Sequence, residues 1–188
     1  MMNDELKKIV IIGPESTGKS TLCKQLAEHY NTLWCPEYAR EFLLKHGTNY
    51  SFDDLLTIAK GQIVLEESYE LKVKNDELEN KKNHPKLFLD TDMIVMKVWC
   101  EFVFGKCHQF ILDELKTRKY DLYLLCNIDL PWVRDELREY ENEAPRKELF
   151  TIYKNILEHQ SSPWKLISGI GELRLQHAIN AINEAYGL

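Results

Sequence analysis

Two rhythms alternate along this chain. Short unbroken apolar runs recur, separated by longer stretches whose apolar residues fall at helical spacing. Ile9-Val10-Ile11-Ile12 is the first run; it is β-branched or apolar throughout and predicts a strand buried on both faces at about residues 8–12. Leu33-Trp34-Cys35 is a short second strand, ended by Pro36. Lys86 to Asp90 is the third, Asp121 to Cys126 the fourth and Pro163 to Ser168 the fifth. Thr21 to Tyr30 has an amphipathic helical pattern, and Glu37 to Lys45 reads as helix with Gly47 as its C-cap. Ser51-Phe52-Asp53-Asp54 has the form of a capping box and opens a helix to about residue 80. The later half, Lys72 to Asn83, is almost entirely polar and reads as a solvated helix end running into a loop. Thr91 to Val103, His108 to Arg118, a stretch opened by Pro131, a segment ending near Gln160, and Glu172 to Tyr186 complete the helices. This alternation predicts an α/β fold with five parallel strands and helices on both faces.

Composition narrows the picture. A length of 188 residues suits one domain spanning 1–188. The net charge of −6 argues against nucleic acid as the main partner, because duplex-binding surfaces are usually basic. Cys23, Cys35, Cys100, Cys107 and Cys126 are odd in number, lack zinc spacing and mostly sit in apolar runs, which predicts free thiols in a reducing compartment. The charged N-terminus has no apolar signal core, and no run approaches the ~18 apolar residues of a membrane span. A cytoplasmic protein without membrane contact is expected; the oligomeric state is not legible.

The strongest chemical signal is Gly13-Pro14-Glu15-Ser16-Thr17-Gly18-Lys19-Ser20, which fits the phosphate-binding pattern G-x-x-x-x-G-K-[ST] in full. From average usage, a random chain of this length matches somewhere on the order of once in two hundred. The flanking strand and helix lower that chance much further. A strand feeding a glycine loop into a helix N-terminus gathers backbone N–H groups around an anion. Gly13, Glu15, Ser16, Thr17, Gly18, Lys19, Ser20 and Thr21 are therefore expected to bind ATP, with Lys19 on the β- and γ-phosphates and Ser20 on Mg²⁺.

Ligands of open α/β sheets lie at the carboxyl ends of the strands, so residues there gain weight. The second strand delivers Glu37 and Arg40, the third Asp90 and Asp92, the fifth Ser168. Asp90 suits a second Mg²⁺-organising carboxylate. Asp92 shares its face if the chain stays extended, or else caps the next helix. Glu37 and Arg40 either pair with each other or serve the site as proton acceptor or ribose contact. Arg138 and Arg146 are either solvated or part of a small arginine-bearing lid, about 131–150, closing over transferring phosphate. Trp34, Tyr38, Trp99, Phe102, Phe104 and Trp132 stand near these ends; most aromatics at such spacing are core.

Taken together the motifs resemble the bacterial ribosylnicotinamide kinase domain, the C-terminal kinase part of the NAD-biosynthesis regulator. The resemblance runs from about residue 8 to the closing helix. It is carried by the phosphate loop, Pro36-Glu37-Tyr38-Ala39-Arg40-Glu41-Phe42, Phe88-Leu89-Asp90-Thr91-Asp92, Tyr120 to Leu125, and Pro131 to Arg138. It implies a phosphate-loop kinase fold and transfer of the ATP γ-phosphate to the 5′-hydroxyl of nicotinamide riboside, a small-molecule acceptor. It further implies catalytic roles for Lys19, Asp90, Asp92, Arg138 and Arg146. Substrate contacts would fall to Glu37, Tyr38, Arg40, Asp92 and Phe104, with Ser168 near the adenine. Where the family pattern has tryptophan before the glutamate this chain has Pro36, and Phe104 replaces a tyrosine; both positions are expected at the nicotinamide pocket. The DNA-binding segment and adenylyltransferase domain of the larger members are not expected here. The alternatives are a kinase for another nucleoside or nucleotide, a slow regulatory ATPase, and a chaperone-like ATPase.

Overall fold

The computed structural model describes residues 5–75, 85–137 and 142–187. Each apolar run becomes a strand: β1 (Lys7–Ile12), β2 (Leu33–Cys35), β3 (Lys86–Asp90), β4 (Leu122–Cys126) and β5 (Trp164–Ile167). All pair in parallel, in the order β2-β3-β1-β4-β5. Every residue of β3 and β4 is buried, as expected of parallel strands covered on both faces.

The period of two divides each strand between two cores. Ile9, Ile11, Phe88, Leu122 and Leu124 meet α1 (Lys19–His29) and α7 (Glu172–Tyr186) on one face. Val10, Ile12, Leu87, Leu89 and Leu125 meet α4 (Met93–Phe104) and α6 (Glu143–Glu158) on the other. Phe88 is fully buried at the centre of the first core, and its truncation to alanine would cost about 3–5 kcal/mol. A third cluster joins α2 (Tyr38–His46), α3 (Phe52–Lys74), α4 and α5 (Gln109–Thr117) through Ala39, Leu55, Ile58, Met96 and Ile111.

Long α3 is fixed at both levels. Its capping box forms as the sequence indicated, with Ser51 and Asp54 exchanging hydrogen bonds. Further along, the fully buried Glu66 accepts from Lys8 Nζ (3.1 Å), Arg118 Nη1 (3.4 Å) and Tyr120 Oη (2.9 Å), tying α3 to β1. The helix ends at Lys74 rather than near residue 80, and most of the polar stretch read as its solvated end lies outside the described residues.

One expected helix does not form. Pro131 opens no helix; residues 131–135 are irregular and α6 starts only at Glu143. The reason is competition from the phosphate loop. Val133 N donates to Ser16 Oγ (3.0 Å) and Trp132 Nε1 to Glu15 (3.3 Å), so this backbone docks as a strap instead of coiling. The stretch expected as a lid, about 131–150, thus divides into that strap, residues 138–141 outside the described set, and the first turns of α6.

Candidate active site

The strand order reverses at β1, where the chain builds outward first to one side and then to the other, and the phosphate loop leaves β1 at that switch point. Gly13 has φ 144°, and a Cβ there would stand 2.9 Å from the Cys126 carbonyl, so only glycine fits against β4. Gly18 has φ 76° and precedes α1 without a side-chain cap. Contrast α3 and α4, whose first N–H groups are satisfied by Ser51 and by Asp92. The first turn of α1 therefore keeps its donors and its dipole for an anion, with no acidic side chain there to oppose one. Lys19 Nζ rests 2.9 Å from the Pro14 carbonyl of the same loop, a bond it can exchange for phosphate oxygens.

A buried arginine that the sequence did not single out shapes this loop. Arg174 of α7 donates to Thr17 O (2.9 Å), Asn127 O (3.0 Å), Gly169 O (2.8 Å) and Asp129 Oδ1 (2.8 Å). One guanidinium so joins the phosphate loop, the end of β4 and the β5–α7 turn. From the opposite side Arg146, also buried, donates to Ser16 O and Leu130 O, both at 3.4 Å, and its Nε has no partner.

Two acids stand beside Lys19. Asp90 ends β3 in register with Ile11. Burial raises its pKa, while Lys19 and the Ser20 hydroxyl act against that rise. Its Oδ1 is buried without a partner. A Mg²⁺ ion held with a nucleotide needs such a hard oxygen donor next to a hydroxyl, so Asp90 and Ser20 fit one. Among the described residues no group of three or more His, Cys, Asp or Glu is placed to hold a metal by itself. Glu37, the N-cap residue of α2, has its pKa pushed up to about 7 by burial and by the Asp90 charge, against Lys19 and Arg40.

Asp92 goes elsewhere. Thr91 adopts φ 104°, rare for a β-branched residue, and this turn breaks the extended run that would have put Asp90 and Asp92 on one face. Asp92 Oδ1 caps α4, accepting from Ile94 N (3.0 Å) and Val95 N (3.2 Å). Its Oδ2 accepts from Tyr123 Oη at 2.8 Å. Burial pushes its pKa up to about 7 even so.

A cavity of about 520 Å³ runs from the phosphate loop toward α2 and α4. Gly13 to Thr21 line one end; Trp34, Glu37, Arg40, Trp99, Phe102 and Tyr153 line the rest. Arg40 closes the mouth by pairing its two terminal nitrogens with Asp135 of the strap, at 3.3 and 3.2 Å. Phosphate loop, Glu37 and Arg40 thus meet in one hollow, with Asp90 just beneath.

Two expected substrate contacts, Tyr38 and Phe104, do not reach its wall. The Tyr38 ring packs over Gly61 of α3, where a Cβ would come within 2.2 Å of it. Phe104 stands edge-on to Tyr50 and Phe52 (centroids 6.2 and 5.6 Å), leaving Trp99 and Phe102 of the same helix as the aromatic lining. Ser168 Oγ accepts from Asn127 Nδ2 (3.0 Å) at the strand ends. Arg138 lies outside the described residues.

Known proteins share the fold that carries this arrangement. The family model described as an AAA domain (AAA_28) matches residues 8–174. The trifunctional NAD biosynthesis/regulator protein NadR of Escherichia coli (strain K12) is 28% identical over 162 residues, 83% of this chain. The chain spans 37% of the length of that relative. The crystal structure of NadR protein in complex with NR superposes with a TM-score of 0.66 at 24% identity, over 97% of this chain and 50% of that one. Thymidylate kinase from Ehrlichia chaffeensis shares the fold with a TM-score of 0.62 at 16% identity, over 95% and 98% of the two chains. This chain is homologous to NadR, has the phosphate-loop kinase fold, and belongs to the AAA domain family.

Proposed function

We propose that this protein is an ATP-dependent phosphotransferase that phosphorylates the 5′-hydroxyl of nicotinamide riboside, giving nicotinamide mononucleotide. The observation that carries the reading is the shared cavity. The phosphate loop opens into an aromatic-lined hollow, sized for a nucleoside, with an ionisable carboxylate between the two. The homology to a protein named for NAD biosynthesis supports the choice of nucleoside.

In this reading ATP lies on Gly13 to Thr21, its terminal phosphates neutralised by Lys19. Ser20 and Asp90 would hold Mg²⁺, which offsets the negative charge of the β- and γ-phosphates. Trp34, Trp99 and Phe102 flank the flat base, and Arg40 with Glu37 faces the ribose. Glu37 accepts the 5′-hydroxyl proton as that oxygen bonds to the γ-phosphorus. The bond from phosphorus to the β–γ bridging oxygen breaks, and ADP leaves. Glu37 takes this role ahead of Asp92, whose two oxygens are engaged by the α4 cap and Tyr123. Arg146, with Arg138, closes over the developing charge, and the docked strap excludes water.

The test is coupled ATP turnover with nicotinamide riboside beside uridine, cytidine and nicotinic acid riboside. Nicotinamide riboside is expected to give the highest kcat/KM by at least about tenfold. Faster turnover of another nucleoside would reassign the acceptor, and turnover independent of any nucleoside would make the protein an ATPase.

A further inference from the structure

The segment that carries Glu37 has little of its own to hold it. β2 is only three residues long and forms the sheet edge, and Pro36 has no N–H to give a ladder. Its support comes from α3. The side-chain amide of Gln62, 1% exposed, brackets Glu37 on both sides. Gln62 Oε1 accepts from Tyr38 N at 2.7 Å, and Nε2 donates to the Pro36 carbonyl at 3.3 Å. Nε2 also reaches Cys35 Sγ at 3.7 Å. Next to it, Gly61 leaves the space into which the Tyr38 ring packs. Glycine inside a helix is less favourable than alanine, so the helix gives up propensity where it receives Tyr38. One turn on, Glu66 locks the same face of α3 to β1 through Lys8.

We infer that Gln62 is a positioning residue for phosphoryl transfer: its amide fixes the Pro36 and Tyr38 backbone and so aims the Glu37 carboxylate at the acceptor hydroxyl. The inference rests on the role proposed for Glu37. Acceptor and base must be held to a fraction of an ångström, and a displacement of about 1 Å can cost on the order of a hundredfold in rate. A purely packing role would ask only for volume at this position. Methionine supplies that volume and makes no such hydrogen bonds, so it separates the two.

The experiment compares wild type, Gln62→Met, Gln62→Ala, Gly61→Ala and Glu37→Gln. It measures kcat with nicotinamide riboside, the KM for ATP and the melting temperature. Gln62→Met is expected to fold with a melting temperature lowered by only roughly a few degrees, for the two lost hydrogen bonds, and with an unchanged KM for ATP, while kcat falls at least about tenfold. Gly61→Ala, which displaces Tyr38, is expected to lower kcat in the same way. Wild-type kcat in Gln62→Met, with Glu37→Gln inactive, overturns the positioning role and leaves the Glu37 assignment standing. Wild-type kcat in Glu37→Gln as well removes the base itself, and the inference with it.

Discussion

At Glu37 two influences oppose each other. Burial and the Asp90 charge favour the protonated carboxyl, while Lys19 and Arg40 favour the anion, leaving a pKa of about 7. A general base works only when ionised, so the sign is fixed: kcat/KM for the nucleoside should climb about tenfold per pH unit on the acid side, then level off above about 7. Glu37→Gln should abolish that limb and lower kcat by about 10²- to 10⁴-fold. A flat wild-type profile from about pH 5.5 to 8.5 would take Glu37 out of the role. The sequence favoured Asp90 and Asp92 for catalysis and gave Glu37 a substrate contact, because it lists carboxylates without saying what each oxygen touches. Asp92 was legible as a cap from residue type and position. That capping would occupy one oxygen and Tyr123 the other was not, because Tyr123 comes from a strand 31 residues away.

Local pattern revealed most of the elements, since runs such as Ile9–Ile12 and Leu87–Leu89 are apolar at every position and have no alternative to a doubly covered sheet. Boundaries and contacts were less legible wherever a distant partner intervened. Pro131 has the chemistry of a helix start, yet Ser16 and Glu15 hold the residues after it in irregular form. Trp99, Phe102 and Phe104 share one helix, and only the placement of α2 and α3 decides which of them face the cavity. Arg174 reads in sequence as an ordinary charged position of an amphipathic helix. Its role arises where β1, β4 and β5 converge, which no local window contains. Because it braces the phosphate loop and not the acceptor side, Arg174→Gln should raise the KM for ATP at least about tenfold while the KM for nicotinamide riboside stays near wild type. Equal changes in both constants would mean a general loss of structure instead.

A single sheet with the phosphate loop and Glu37 at one end ties nucleotide occupancy to the stability of the fold as a whole. A non-hydrolysable ATP analogue with Mg²⁺ at about a hundred times its Kd should stabilise the fold by about 2.7 kcal/mol. In a domain of this size that corresponds to a rise in Tm of roughly 5–10 °C. Lys19→Ala should melt close to wild type alone and show little of the rise, measured by scanning fluorimetry. An undiminished rise in that variant would place the nucleotide elsewhere. The strap also acts across the fold, because it touches both the nucleotide loop and α2. Its Arg40–Asp135 pair spans the cavity mouth with the arginine side chain 52% exposed, so dissolved ions compete for both partners. Escape of phosphorylated nucleoside through that opening should therefore quicken as potassium chloride is raised. Trp34 and Trp99 in the wall would report the departure as a stopped-flow fluorescence change. Asp135→Asn should leave the dissociation rate fast and nearly insensitive to salt, turning a gated exit into an open one.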